Sequence, residues 1–345
     1  MTAIREIASR VPLFAGLDAD ELGYVLRAAQ QLEFASGALM ARQGQNADTA
    51  LFLQHGRAQM MNMLPGGGET VVGELGPGSV LGEMALLDSG VRFSNVVARE
   101  PTACLSMKRE VFHMLIAQGN RTVLAINHRI TLALCQRLRE LNSKILAVST
   151  PEHLPPALAN RTHQRVSCRF DFRAFLGLLP AFRQCSVEEI DGLLQVAQVF
   201  ELPRGALLFE AGAPSTACYM VLRGALEISR EHNGALRRIG ILGPGRLCGI
   251  LAMIEGQPHS MSAVAREDVT LMEVPQLAFQ RIYSGEARGA RHFQQAINRE
   301  LLQSLSRTNN HLTRLISQAR IRNHLQHADE LQRTLLQQDC LMGAQ

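Results

Sequence analysis

The sequence predicts a mainly β protein with helices: two jelly-roll domains (double-stranded β-helices) in tandem, each followed by a long helix. Three observations carry this. The 345-residue chain aligns with itself at a shift of 167–168 residues, the mark of a duplicated unit. Within each copy, apolar runs of four to seven residues alternate with Gly and Pro punctuation, as in a barrel or jelly roll. At the end of each copy the apolar period becomes helical.

The repeat runs in order. Pro12-Leu13-Phe14 matches Pro180-Ala181-Phe182, and each is followed by an acid-rich helical stretch, Asp18 to Leu22 and Ser186 to Ile190. SGALMARQG (36–44) matches RGALLFEAG (204–212), and LFLQHGRAQM (51–60) matches YMVLRGALEI (219–228). MLPGGGETVVGEL (63–75) reads as a hairpin around Gly66 to Gly68, and REHNGALRRIGIL (230–242) as one around Asn233-Gly234. LGPG recurs at 75–78 and 242–245, VVARE (96–100) matches AVARE (263–267), and Phe112 matches Phe279. Helical pattern follows from about Arg109 to Ala147 and from about Gln276 to Ser317. Pro151, Pro155 and Pro156 prevent a continuous helix between the copies. The expected division is a first domain at 1–147, a linker at 148–169, a second domain at 170–318 and a helical tail at 319–345.

Composition removes several classes of function. The formal net charge is +4, too mild for the concentrated basic face of a nucleic-acid binder. No run approaches eighteen apolar residues, and MTAIREIASRVPLF has neither the apolar core nor the cleavage site of a signal peptide, so a cytoplasmic protein without a membrane span is expected. The seven cysteines are widely spaced and form no CxxC pair, which argues against zinc, iron–sulfur clusters and a disulfide framework. No catalytic triad, paired-carboxylate arrangement, P-loop or dinucleotide-binding fingerprint occurs, so no enzyme, cofactor or metal site is expected.

One segment differs between the copies in its chemistry. LGEMALLDSGVRFS (81–94) carries Gly82, Glu83, Met84 and Ala85, then Arg92, Phe93 and Ser94. CGILAMIEGQPHSM (248–261) keeps Gly249 and Ala252 but has Ile250 for Glu83 and His259 for Arg92, with Ser260 after it. A glycine opening a short helical turn lets backbone N–H groups approach an anion closely. An Arg nearby supplies charge-assisted hydrogen bonds to a phosphate. The bland alternative is that Glu83 and Arg92 pair with each other on a barrel surface.

The order of helix, eight-stranded jelly roll, Gly-Glu-x-Ala turn, Arg and long helix resembles the cyclic-nucleotide-binding domain, twice over. The resemblance implies that Gly82, Glu83, Met84, Ala85, Arg92, Phe93 and Ser94 bind a cyclic nucleotide, Glu83 accepting from the ribose 2′-hydroxyl. The family has small residues after the Arg, whereas Phe93 stands here; it either points into the core, narrows the pocket or stacks on a base. The second site, Gly249, Ile250, Ala252, His259 and Ser260, reads as degenerate, with retuning for another ligand as the sharper alternative. In catabolite-activator-like relatives the long helix covers the purine and forms a dimer. By that resemblance Asn142 and Ser143 meet the base, with Thr308 and Asn309 at the matching places in copy two. Asn142 could equally set register in a helix seam with Cys135, Leu138 and Ile145.

The expected function is therefore a non-enzymatic receptor for cAMP or cGMP, relaying through helix movement to a protein partner, with a homodimer through the C-terminal helices as one arrangement. The tandem layout is similar to the regulatory subunit of cAMP-dependent protein kinase, though no Arg-Arg-x-Ser segment precedes the first domain. A cyclic di-GMP receptor and a ligand-free scaffold are the alternatives. The tail is too short for a winged helix-turn-helix, so direct DNA binding is the weakest reading.

Overall fold

The computed structural model describes residues 11–63, 69–88, 90–149, 166–167, 173–179, 182, 185–285 and 287–342, with side chains described as far as residue 318. Each copy is a β-sandwich with helices at its ends. In the first, the strands Gln30–Phe34, Thr102–Lys108, Thr49–His55 and Val80–Leu81 form one sheet in that order. Leu39–Ala41, Asn95–Ala98, Ala58–Met63 and Glu69–Leu75 form the facing one. Leu51, Leu53, Leu81 and Cys104 from one sheet meet Ala41, Ala58, Leu75 and Val96 from the other. The second copy repeats this, with Phe200, Tyr219, Val221 and Leu271 against Leu208, Leu226, Ala263 and Ala265.

The predicted hairpin at 230–242 forms, and its turn shows why Asn-Gly stands there: Asn233 has φ 53° and Gly234 φ 72°, both positive as a tight hairpin turn of this twist requires. The hairpin expected around Gly66 to Gly68 has its two strands paired, Met63 opposite Glu69, while its turn lies outside the described residues. So do Pro180, Ala181 and the prolines at 151–156. Within the interval assigned to the linker, Val166–Ser167 is a short strand that joins the second copy's sheet against Phe200 and Glu201.

The helices are α1 (Ala19–Arg27), α2 (Arg109–Ala117), α3 (Arg121–Val148), α4 (Arg173–Leu178), α5 (Val187–Val196), α6 (Ile250–Glu255), α7 (Gln276–Tyr283) and α8 (Arg288–Met342). The single helix expected over 109–147 is two. Gly119, at φ +72°, takes the chain out of α2, and the Asn120 side chain caps α3 by accepting from the Val123 N–H at 3.0 Å. The stretch from Gln276 likewise divides after Tyr283, and α8 then runs through residue 318 without a break to Met342.

α3 and α8 pack on each other within the chain, and this pairing joins the two halves. Ile126, Ile130, Leu134, Leu138 and Ile145 share one core with Ile297, Leu301, Leu305 and Leu312. The seam residues Cys135, Leu138 and Ile145 are buried there. At its centre the Thr131 hydroxyl, its one proton shared, donates to Asn298 Oδ1 at 2.9 Å and to the Asn127 carbonyl oxygen at 2.9 Å, and Thr131 and Asn298 are both buried. These two positions are 167 apart, so equivalent residues of the two copies meet across the joint.

Candidate functional site

Gly82 has φ 73°, the left-handed region, and opens a 3-10 turn over Glu83–Leu86. The missing side chain is used: a Cβ on Gly82 would fall 1.7 Å from Arg92 Nη1 and 3.2 Å from the Thr49 carbonyl oxygen. The Arg92 guanidinium therefore lies against the glycine backbone. Its Nη2 donates to Thr49 O at 2.7 Å and to Thr49 Oγ1 at 3.0 Å. Nη1 is buried and meets no hydrogen-bond partner among the described residues. A charged donor held out of water with nothing to bind is costly, and a phosphate oxygen would satisfy it.

Glu83, Met84, Ala85, Phe93 and Ser94 line the same cavity, which has a volume of about 340 Å³. Burial pushes the Glu83 carboxyl above its ordinary range, while its own amide, Arg137 and Arg92 pull it back. Burial pulls the Arg92 guanidinium below its usual value, against the charges of Asp48 and Glu83. Phe93 packs against the helical core and lines the cavity at once. The Ser94 hydroxyl donates to Asn62 Oδ1 on the neighbouring strand, so its proton is committed there.

The wall over this cavity differs from the expectation. Ala133, Gln136, Arg137 and Glu140 of α3 and Leu305 of α8 supply it. Asn142 instead lines the second copy's cavity, and Ser143 is exposed and lines neither. The reason is the joint: the face of α3 that carries Leu138, Asn142 and Ile145 lies against the second barrel, while the face that carries Ala133, Gln136, Arg137 and Glu140 stays on the first. Gln136, Arg137 and Glu140, and Thr49 beside Arg92, are polar groups that sequence reasoning missed. The repeat held a signal for Thr49: its counterpart is Ala217, so the threonine goes where the arginine goes.

In the second copy Gly249, at φ 78°, again opens a helical turn, α6. A Cβ there would sit 3.2 Å from His259 Cε1 and 3.3 Å from Ala217 O, so His259 occupies the place that Arg92 holds in the first. His259 is buried and stacks on Phe209 with ring centroids 3.8 Å apart. Burial, then Arg139, lower its pKa and favour the uncharged ring. Phe209 stands where the first copy has Ala41, so an aromatic stack fills the space beside the turn. Ile250 is buried, Ala252 and Ser260 line the cavity, and Thr308 joins them from α8, while Asn309 does not. This cavity holds about 330 Å³ and is closed partly by Leu138, Asn142 and Ile145 of α3.

Each glycine-opened turn is also tied to the long helix of the other copy. Arg299 Nε on α8 pairs with Asp88 Oδ2, just past the first turn, at 2.7 Å. Arg139 Nε on α3 pairs with Glu255 Oε2 at the end of α6. Asp88 and Glu255 are 167 apart and hold matching places in the repeat.

A profile described as "Cyclic nucleotide-binding domain" matches residues 31–119 and 199–286, together about half of the chain. The cyclic AMP receptor protein of Thermus thermophilus is 32% identical over 141 residues, 41% of this chain and 63% of that protein. The cAMP-dependent protein kinase regulatory subunit of Yarrowia lipolytica is 21% identical over 270 residues, 78% of this chain and 58% of that one. The chain thus spans about three fifths of the length of the curated relatives it matches. Among solved structures, the regulatory domain of Toxoplasma gondii PKA with cAMP aligns over 81% of this chain and 90% of that one at 17% identity and a TM-score of 0.32. The double match to one profile, on two sandwiches that each open a ligand turn with a left-handed glycine, makes the chain a member of the cyclic nucleotide-binding domain family.

Proposed function

We propose that the first domain is a receptor site for a cyclic mononucleotide, cAMP or cGMP, and that the second has lost this ligand. The observation that carries the reading is Arg92 Nη1, buried and without a hydrogen-bond partner among the described residues, against the bare backbone of Gly82. A cyclic phosphodiester would take that donor, and Glu83 would accept from the ribose 2′-hydroxyl. In the second domain the stacked His259 and the apolar Ile250 stand where Arg92 and Glu83 stand in the first, so neither of those two polar groups has its counterpart at the turn. The chemistry is that of binding rather than catalysis, since the polar groups gathered at the turn serve to hold an anion and a hydroxyl.

The relay runs through the crossed ion pairs. A phosphate drawing the 83–86 turn and Arg92 together would shift Asp88, and with it Arg299 on α8. That helix continues past the second domain to Met342 and is the proposed surface for a protein partner or a second copy of the chain. The cytoplasm is the proposed compartment, in keeping with the free thiols of Cys104, Cys135, Cys185, Cys218 and Cys248.

Calorimetric titration tests the binding step. Wild type should bind cAMP or cGMP, and Arg92→Ala should bind at least roughly 10-fold more weakly, the loss of one charge-assisted hydrogen bond, while keeping a cooperative melt. Undiminished affinity in Arg92→Ala would overturn the site. Cyclic di-GMP displacing labelled cAMP at equal concentration would reassign the ligand.

A further inference from the structure

Three metal-ligating groups from distant parts of the second domain converge away from its ligand turn. Cys185 precedes α5, Glu189 lies in its first turn, and His292 lies in the early turns of α8. The Cys185 Sγ, a Glu189 carboxylate oxygen and a His292 ring nitrogen all lie within 4.8 Å of one another, and all three residues are partly buried. His292 Nδ1 stands 3.0 Å from Glu189 Oε2.

The place is built rather than casual. Ser186 caps α5 by accepting from the Glu189 N–H, and Glu189 Oε2 accepts from the Ser186 N–H at 2.9 Å, which fixes the carboxylate at the helix start. Across from it, a Cβ on Gly289 would come within 3.2 Å of Glu189 Cγ and 3.4 Å of Oε1. The glycine thus lets the carboxylate lie directly on α8.

We propose that Cys185, Glu189 and His292 bind a divalent transition ion, zinc foremost, which fastens α5 to α8. One sulfur, one imidazole nitrogen and one carboxylate oxygen are the donors that zinc takes, and three protein ligands leave a fourth position for water. Tetrahedral bonds of about 2.0 Å to N and O and about 2.3 Å to S put the donors roughly 3.3–3.5 Å apart; with His292 and Glu189 already 3.0 Å apart and all three donors within 4.8 Å, small side-chain shifts close the site. On binding, the Cys185 S–H bond breaks, its proton goes to solvent and the S–Zn bond forms. In the metal-free chain His292 Nδ1–H faces the Glu189 carboxylate; on binding, the Nδ1 proton passes through solvent to Nε2, and the freed Nδ1 lone pair goes to the ion. Thiolate and carboxylate together neutralise the dication, and no oxidant or reductant enters. The ion would fix the start of α8 against α5, on the same helix that contacts Asp88 through Arg299.

The test uses the full chain, stripped with chelator and titrated with cobalt(II). The expected result is one tight equivalent per chain with a sulfur-to-cobalt charge-transfer band in the near ultraviolet, bleached when zinc(II) is added. Cys185→Ser should lose the band, and His292→Asn should keep it at an affinity at least roughly tenfold lower. Should Cys185→Ser fail to fold, His292→Asn with its melting curve decides alone. No band in the wild type, a band that survives in Cys185→Ser, or wild-type affinity in His292→Asn each overturns the proposal.

Discussion

Gly82→Ala separates the two jobs of the first ligand turn. The substitution puts a methyl at φ 73°, which costs about 1–2 kcal/mol for an L-residue, partly offset by about 0.4–1 kcal/mol from a stiffer unfolded chain. Stability should thus fall by roughly 1 kcal/mol. The larger consequence is local. The new Cβ would overlap Arg92 Nη1 at 1.7 Å, and Thr49 O at 3.2 Å leaves no slack behind it. The guanidinium must leave its place and give up its two bonds to Thr49. A phosphate that then loses its charged donor forfeits about 1.5–3 kcal/mol, or roughly 10- to 150-fold in Kd. Urea unfolding reads the first effect and calorimetry with cAMP and cGMP reads the second. Gly249→Ala is the matched control: at φ 78° it bears a similar backbone cost, its nearest neighbour is His259 Cε1 at 3.2 Å, and cAMP affinity should change far less. A Gly82→Ala protein that melts cooperatively and binds its nucleotide with wild-type affinity would refute the placement of Arg92 as the phosphate ligand.

Other outcomes follow from the joint and its charges. Thr131→Val leaves Asn298 Oδ1 buried without its donor and should cost about 1–3 kcal/mol in urea unfolding, more than Thr313→Val at a half-buried position. Leu305→Ala, 3% exposed, should cost about 2–5 kcal/mol and also weaken cyclic nucleotide binding in the first domain, whose cavity it lines; unchanged affinity would show that α8 does not wall that site. Glu300, paired with Arg246 at 2.7 Å, has its carboxyl pushed up to about 7 by burial. The folded state holds that proton where the unfolded chain has released it, so stability should fall as pH rises from about 4.5 to 7, by a few kcal/mol at most (~3), and level off above. Urea melts at pH 5 and pH 8 check this, and Glu300→Gln should flatten the difference. Arg299→Ala should leave cAMP binding within a few-fold yet abolish any nucleotide-dependent change in amide exchange along α8; an unaltered response would remove the Asp88–Arg299 pair from the relay.

The sandwiches and the first ligand turn were legible in the sequence because they depend on local rules. Left-handed glycines at 82 and 249 and the Asn233-Gly234 turn are backbone requirements, and a duplicated chain displays the glycine twice, at matching places. The contents of the turn were legible for the same reason: the repeat aligned Arg92 with His259 and Glu83 with Ile250, so a difference in chemistry stood out against a shared frame. The wall of the cavity was not legible. Helical spacing placed Cys135, Leu138, Asn142 and Ile145 on one face, and the structure buries three of them. Which barrel that face covers depends on how α3 crosses α8, a property of tertiary packing that no period encodes. Asn142 consequently sits over the second cavity, and Arg137, five residues earlier, faces Glu83. The break at Gly119 was in view as a glycine followed by a capping Asn, but the apolar pattern on both sides ran through it.

The exchange of walls between the two cavities has a consequence for the chain's history. Leu305 belongs to the second copy and closes the first cavity; Leu138 and Ile145 belong to the first and close the second. Neither half is a portable module. Excising residues 11–149 would open the first cavity to water where Leu305 stood and bare the apolar side of α3. On the proposed reading, a second copy that no longer holds the nucleotide needs neither an arginine nor an acid at its turn. It was not free to give up its barrel, because α8 must be held in place for the first copy to stay closed. On that reading the duplicated turn is spare, while the barrel that carries α8 is not.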